Sequence, residues 1–115
     1  LSIQTVTFYN IGLKPGHSVE VKGFIPEDCE VFVINLGTDG KNLVLHFCPR
    51  FNNVGDQLTV ILNSKVDDVW GEEQRESFFP FAQGSDTTVC LQWEGQEKWW
   101  MGQSGITVHI GHISL

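Results

Sequence analysis

Along almost the whole of this 115-residue chain, apolar side chains recur with a period of two. That spacing leaves little choice of architecture, because alternate residues share a face in a strand, whereas a helix repeats its face about every 3.6 residues. The period is clear over Ser2–Phe8, Ser18–Ile25, Glu30–Leu36, Leu43–Arg50, Leu58–Asn63 and Thr87–Trp93, all rich in Val, Ile, Phe and Thr. Ile106–Leu115 alternates again and reads as a closing strand. Turn-forming clusters separate the runs: Lys14-Pro15-Gly16, Pro26-Glu27-Asp28, Gly37-Thr38-Asp39-Gly40, Asn52-Asn53-Val54-Gly55 and Gln83-Gly84-Ser85-Asp86. No stretch carries a helical stripe longer than about two turns, so no substantial helix is expected. Many short strands at regular spacing predict an all-β sandwich or barrel. Nothing reads as a linker, repeat or low-complexity tract, and residues 1–115 are read as one domain with enough chain for a core.

Composition removes several classes of function. The formal net charge of −7 argues against binding nucleic acid, which needs Lys and Arg to neutralise phosphates, and against resting on an anionic membrane. No apolar run is long enough for a membrane span. The first residues, Leu1-Ser2-Ile3-Gln4-Thr5, lack the basic start and apolar stretch of a signal peptide. Cys29, Cys48 and Cys90 are odd in number and not spaced as metal ligands. They read as reduced thiols, with Cys29 and Cys90 as small buried hydrophobes. A cytoplasmic protein, with export that bypasses a signal peptide, is the expectation.

The segment Leu43–Arg50 is the informative one. Leu43, Leu45 and Phe47 fall on one strand face and read as core. His46, Cys48 and Arg50 fall together on the other, a polar comb with teeth roughly 7 Å apart. Pro49 has no N–H for a ladder, so the strand is expected to end or bulge there. On the next strand Asn63 shares a face with Ile61 and Thr59, and Asp56 precedes it. Trp70 beside a turn, then Glu73 and Arg75 two apart, complete a set within thirty residues of His46. The bland reading of Arg50, Asp56, Glu73 and Arg75 is a surface ion-pair network. The set as a whole suits a sugar, whose hydroxyls want bidentate donors and acceptors and whose C–H patch wants an aromatic face. Trp93, Trp99 and Trp100, crowded into Gln92–Ser104, read as plugs of the core or a subunit contact before a stacking platform.

The run HFCPRFN at 46–52, GD at 55–56, NSK at 63–65, WGEEQR at 70–75 and FPF at 79–81 closely resembles the galectin signature. LKPG at 13–16 and NLG at 35–37 add to it, and the resemblance covers Leu1 to about Trp93. It implies a jelly-roll-like sandwich of two antiparallel sheets, and a non-catalytic lectin for β-galactosides of the lactose or N-acetyllactosamine type. By position, His46 and Arg50 look like the partners of the galactose 4-hydroxyl, Arg50 also reaching the ring oxygen. Asn63 and Glu73 look like partners of the 6-hydroxyl, and Trp70 like the residue that stacks on the sugar. Arg75 with Glu73 resembles the pair that holds the next sugar, and Asp56 resembles the carboxylate that orients the arginines. Small members of the family often form homodimers by pairing terminal strands.

The chain departs from the family pattern in three places. Cys48 stands where galectins usually have Asn, and a thiol is a weak donor and acceptor, so weaker binding by roughly 1–3 kcal/mol is expected. The alternative is an interaction protein of the same fold whose galactose binding is weak or lost through Cys48. Val54 sits at a variable position often held by His. After Trp93 the resemblance fades, Gly95–Ser104 matches nothing, and the chain is shorter than a usual domain of the family. An enzyme is disfavoured: Glu72, Glu73 and Glu76 do not make a facing pair, and Cys48 with His46 lacks an oxyanion hole. No metal or other cofactor is expected, since the His residues are scattered and His109 and His112 face opposite sides of a strand.

Overall fold

The computed structural model describes residues 2–95, 98–103 and 106–112, with side chains described for 4–95 and 98–102. Every regular element among them is a strand: β1 (Ser2–Tyr9), β2 (Ser18–Ile25), β3 (Cys29–Asp39), β4 (Asn42–Asn53), β5 (Asp56–Val66), β6 (Val69–Trp70), β7 (Gln74–Glu76), β8 (Ser85–Gly95), β9 (Lys98–Gln103) and β10 (Ile106–His112). They form two sheets, one in the order β1-β3-β4-β5-β6 with β7 also paired to β5, the other in the order β10-β9-β8-β2. The expected two-sheet antiparallel sandwich is therefore the observed one, with a single exception at an edge. β1 runs parallel to β3. The connection between them passes through β2 of the opposite sheet, which supplies the crossover that parallel neighbours need.

The two hairpins that frame the site have two-residue turns with both central residues at positive φ, the geometry whose twist suits antiparallel strands. Val54 (48°) and Gly55 (80°) close β4–β5 at the Asn53–Asp56 pair. Asp67 (49°) and Asp68 (68°) close β5–β6 at Val66–Val69. Pairing consequently runs further than the sequence pattern predicts, and β4 does not stop at Pro49, which pairs with Val60. The missing proline N–H is felt on the other side instead. The β3–β4 ladder pairs Ile34 with Phe47 and Val31 with Arg50 but skips the positions between.

The core lies between the sheets. Leu45, Phe47, Val60, Leu62, Ile34 and Leu36 from one sheet meet Val89, Leu91, Trp99 and Met101 from the other, all at most 2% exposed. Phe81 packs edge-on against Phe47 and Phe32 and seals one margin. The tail that matches no family motif forms a hairpin: β8 runs through Trp93 to Gly95 and β9 pairs back against it, with Trp93 opposite Trp99. Trp99 is a core plug, at 2% exposure, and Trp93 leans on it with ring centroids 6.4 Å apart. Cys29 is fully buried, as expected. Cys90 is only half-buried, a correction, because it lies on the outward face of β8 beside core-facing Val89 and Leu91. The side chains of His109 and His112, like the end of the predicted closing strand, lie outside the described residues.

Candidate functional site

From Leu45 onward the alternation read along β4 is what the structure shows: Leu45, Phe47 and Phe51 point into the core, and His46, Cys48 and Arg50 share the outer face of the larger sheet. Leu43 is a correction: it is buried, but beyond a register shift it stands opposite Lys65 and outside the core cluster, which Val44 joins instead. Register then builds rows across the strands. Asn35 of β3, His46 and Asn63 of β5 form one row. Cys48, Ile61 and Arg75 of β7 form the next. Val31, Arg50 and Thr59 form the third. Beyond Asn63, Trp70 of β6 sits directly opposite Lys65. The structure thus brings all eight sequence-predicted residues to one patch.

Two polar clusters result. In the first, His46 Nδ1 lies 2.7 Å from Asn35 Oδ1. A carbonyl oxygen only accepts, so Nδ1 carries the proton and Nε2 is left as an outward acceptor. The edge of the His46 ring meets Trp70 with centroids 4.8 Å apart, and Trp70 is 47% exposed. Asn63, almost fully buried, donates from Nδ2 to the Gly71 carbonyl at 3.1 Å and accepts from the Ser64 N–H at 2.8 Å. It anchors the Trp70-Gly71 turn and keeps one N–H for a ligand. The fit around Gly71 is close: a Cβ there would stand 3.2 Å from Asn63 Oδ1, so the amide would have to give by a few tenths of an ångström.

In the second cluster, Asp56 is gripped from two sides. Arg50 Nη1 donates to Oδ2 at 2.6 Å, and Arg75 donates from Nε and Nη2 at 3.2 Å each. Arg75 Nη2 also reaches Glu73 Oε1 at 3.1 Å. The guanidinium groups of Arg75 and Arg50 hold the Asp56 carboxyl below the usual carboxylate range, and the Arg75 guanidinium is held correspondingly more basic. Burial, reinforced by Arg50 and Lys65 against the opposing pull of Glu73, pushes the His46 pKa down and favours the neutral ring. One donor is left over: the Arg50 Nε–H is buried with no hydrogen-bond partner among the described residues. Buried polar groups are nearly always satisfied, so an orphan on this face invites an acceptor from outside.

The comb is not continuous, which corrects the reading of Cys48 as an open tooth. Cys48 is 4% exposed and packs with Val31, Val33 and Ile61. Burial raises its thiol pKa, against a smaller opposing pull from Arg50. On β3, β4 and β5 the apolar group of Val31, Val33, Cys48 and Ile61 therefore comes between the two polar clusters. Asn35 and Lys65 were not singled out from sequence, although Asn35 lies on the outward face of a readable strand and both fall inside the quoted NLG and NSK runs. No group of His, Cys, Asp and Glu among the described residues is arranged to hold a metal ion. A cleft of about 410 Å³, rimmed by Ile11, Leu13, Trp93 and Trp99, lies elsewhere, between the sheets.

Residues 4–97 match the model of the galactoside-binding lectin family. A galectin-1 from Rhinella arenarum is 50% identical over 92 residues, which is 80% of this chain and 69% of that protein. Galectin-1 from Mus musculus is 49% identical over 85 residues, 74% of this chain, and there the chain spans 63% of the relative's length. Among solved structures, a toad ovary galectin in complex with thio-digalactose superposes with a TM-score of 0.82 at 45% identity, covering 90% of this chain and 78% of the other.

Proposed function

The chain belongs to the galactoside-binding lectin family, and on that premise we propose that it is a non-catalytic lectin for β-galactosides of the lactose or N-acetyllactosamine type. The observation that carries the reading is the unpaired Arg50 Nε–H beside the acceptor-ready His46 and the half-open Trp70 indole. In this reading the axial 4-hydroxyl of galactose donates to His46 Nε2 and accepts from Arg50, whose Nε–H is also shared with the ring oxygen. The apolar face of the pyranose lies on Trp70. Asn63 and Glu73 take the 6-hydroxyl, and Glu73 with Arg75 takes a hydroxyl of the second sugar. Asp56 contacts no sugar and fixes the planes of both arginines. Glucose, with an equatorial 4-hydroxyl, would leave His46 and Arg50 unpaired, at roughly 1–3 kcal/mol for each group. A homodimer would present two such sites and cross-link glycans; gel filtration against monomer standards tests it.

Calorimetric titration with lactose under reducing conditions, with maltose as the control, tests the sugar reading. Heat with lactose alone is expected. A folded parent and a folded Cys48→Asn variant that are both silent would refute it. Binding by the variant only would instead mark a site silenced by one residue, a reading that no present observation favours.

A further inference from the structure

We propose that Lys65 is a positioning residue of this site, holding the Trp70 indole in the attitude that turns its open face to the sugar. The inference rests on the lectin reading but stands on its own geometry. Lys65 Nζ lies over the Trp70 ring, 4.8 Å from the centroid. The two residues are a direct cross-strand pair, and the Lys65 side chain is only 15% exposed, an unusual degree of burial for lysine. Its further contact, Asp68 Oδ1 at 3.6 Å, comes from a carboxylate that is 65% exposed and contributes little on its own.

Trp70 needs such a hold because the ties of its short hairpin are made to backbone atoms. β6 has two residues, and its hairpin is fastened by the Lys65–Trp70 and Val66–Val69 pairs and by Gly71 N–H to the Ser64 carbonyl at 2.9 Å. Asn63 Nδ2 also donates to the Gly71 carbonyl, and the Asp67 and Asp68 N–H groups donate to Asn42 Oδ1 and the Lys41 carbonyl, bonds that leave the indole itself unheld. His46 meets the indole edge-on and the lysine ammonium covers one face. Between them they fix the ring while 47% of the residue stays open. A cation over an indole is the arrangement the ring quadrupole favours, and it is strengthened when the cation is partly desolvated. Behind burial and Arg50, the same ammonium adds a minor contribution to disfavouring a charged His46.

The test uses Lys65→Met, which keeps the stem and removes the charge, Lys65→Arg, which restores a stacking cation, and Asp68→Asn. Lactose affinity should fall about three- to tenfold in Lys65→Met, recover in Lys65→Arg and stay near the parent value in Asp68→Asn. Without sugar, the near-ultraviolet dichroism assigned to Trp70, as parent minus Trp70→Phe, should be lost in Lys65→Met and kept in Lys65→Arg. A folded Lys65→Met with parental Trp70 dichroism overturns the proposal, as does parental lactose affinity. If the parent ignores lactose while the dichroism behaves as expected, the lectin reading fails and the positioning contact stands.

Discussion

Replacing Asn35 by alanine removes the one acceptor that decides which nitrogen of His46 carries the proton. In the parent, Asn35 Oδ1 sits 2.7 Å from Nδ1, and the amide's Nδ2 faces Thr7 Oγ1 at 3.4 Å, so the oxygen is directed at the histidine. With Nδ1 protonated, Nε2 can accept from a sugar hydroxyl; with the tautomer unconstrained, part of the population presents a donor there instead. The lost interaction is neutral and partly buried, worth about 0.5–1.5 kcal/mol, so lactose affinity should fall by about two- to thirteenfold. Asn35→Ala does not touch the sugar in this reading, and its thermal stability should change far less than that of a core variant. Calorimetry gives the affinity, and nitrogen-15 NMR of the imidazole gives the tautomer directly. Unchanged affinity in a folded Asn35→Ala, or a parent His46 protonated on Nε2, would refute the reasoning.

Three further outcomes follow from the geometry. Because burial and Arg50 lower the His46 pKa, lactose binding should be flat above the ordinary histidine value of about 6.5 and should weaken only as pH falls through the lowered value; the same group's contribution to stability is complete above about 6.5 and is lost on acidification, and titration across pH in the calorimeter checks both signs. Gly37→Ala should destabilise severely, by about 3 kcal/mol or more in urea unfolding, because its Cβ would lie 2.3 Å from the Asn42 carbonyl oxygen. Val54→Gly should stabilise by about 0.5–1 kcal/mol, since the 81%-exposed valine holds φ at 48° and relief of that strain exceeds glycine's entropic penalty.

The faces of single strands were legible in the sequence, whereas the neighbours across strands were not. A half-buried antiparallel strand writes its two faces into alternate residues, so His46, Cys48 and Arg50 could be placed together from their spacing alone. Which residue of β3 or β5 stands beside each of them depends on register. Register between β4, β5 and β6 is set by the Val54-Gly55 and Asp67-Asp68 turns, whose positive φ values no periodicity reports. Register between β3 and β4 is set by the Asp39–Asn42 turn with the shifts on either side of Gly37. Asn35 therefore escaped notice although it abuts His46, and Lys65 escaped although it covers Trp70. β6, with two residues, is too short to carry a period. Trp70 and Trp99 have the same side chain, yet one is half-open and the other a core plug, because Trp70 stands with His46 on the outer face of its sheet and Trp99 on the inner face of the other. The parallel seat of β1 was equally hidden, because it depends on which layer β2 enters.

The apolar group at Cys48 turns one substitution into a test of stability against affinity. Cys48 has Val31, Val33 and Ile61 around it and Arg50 nearby, so a thiol is at ease there without a ligand. An asparagine in its place could accept from the unpaired Arg50 Nε–H, but its two amide N–H donors would face valine and isoleucine until a sugar hydroxyl arrived. An unmet buried donor costs about 1–3 kcal/mol, and the Arg50 contact returns about half of that, leaving Cys48→Asn about 1 kcal/mol less stable when empty. The ligand then supplies the missing acceptor, so lactose affinity should rise by about five- to a hundredfold, the gain of one good polar contact. Lactose should accordingly raise the melting temperature of the variant more than that of the parent at equal concentration, because the bound state alone is satisfied. An empty Cys48→Asn that melts at or above the parent would show that the apolar group between the two clusters is already open to water, and that Cys48 is not packed as its 4% exposure indicates.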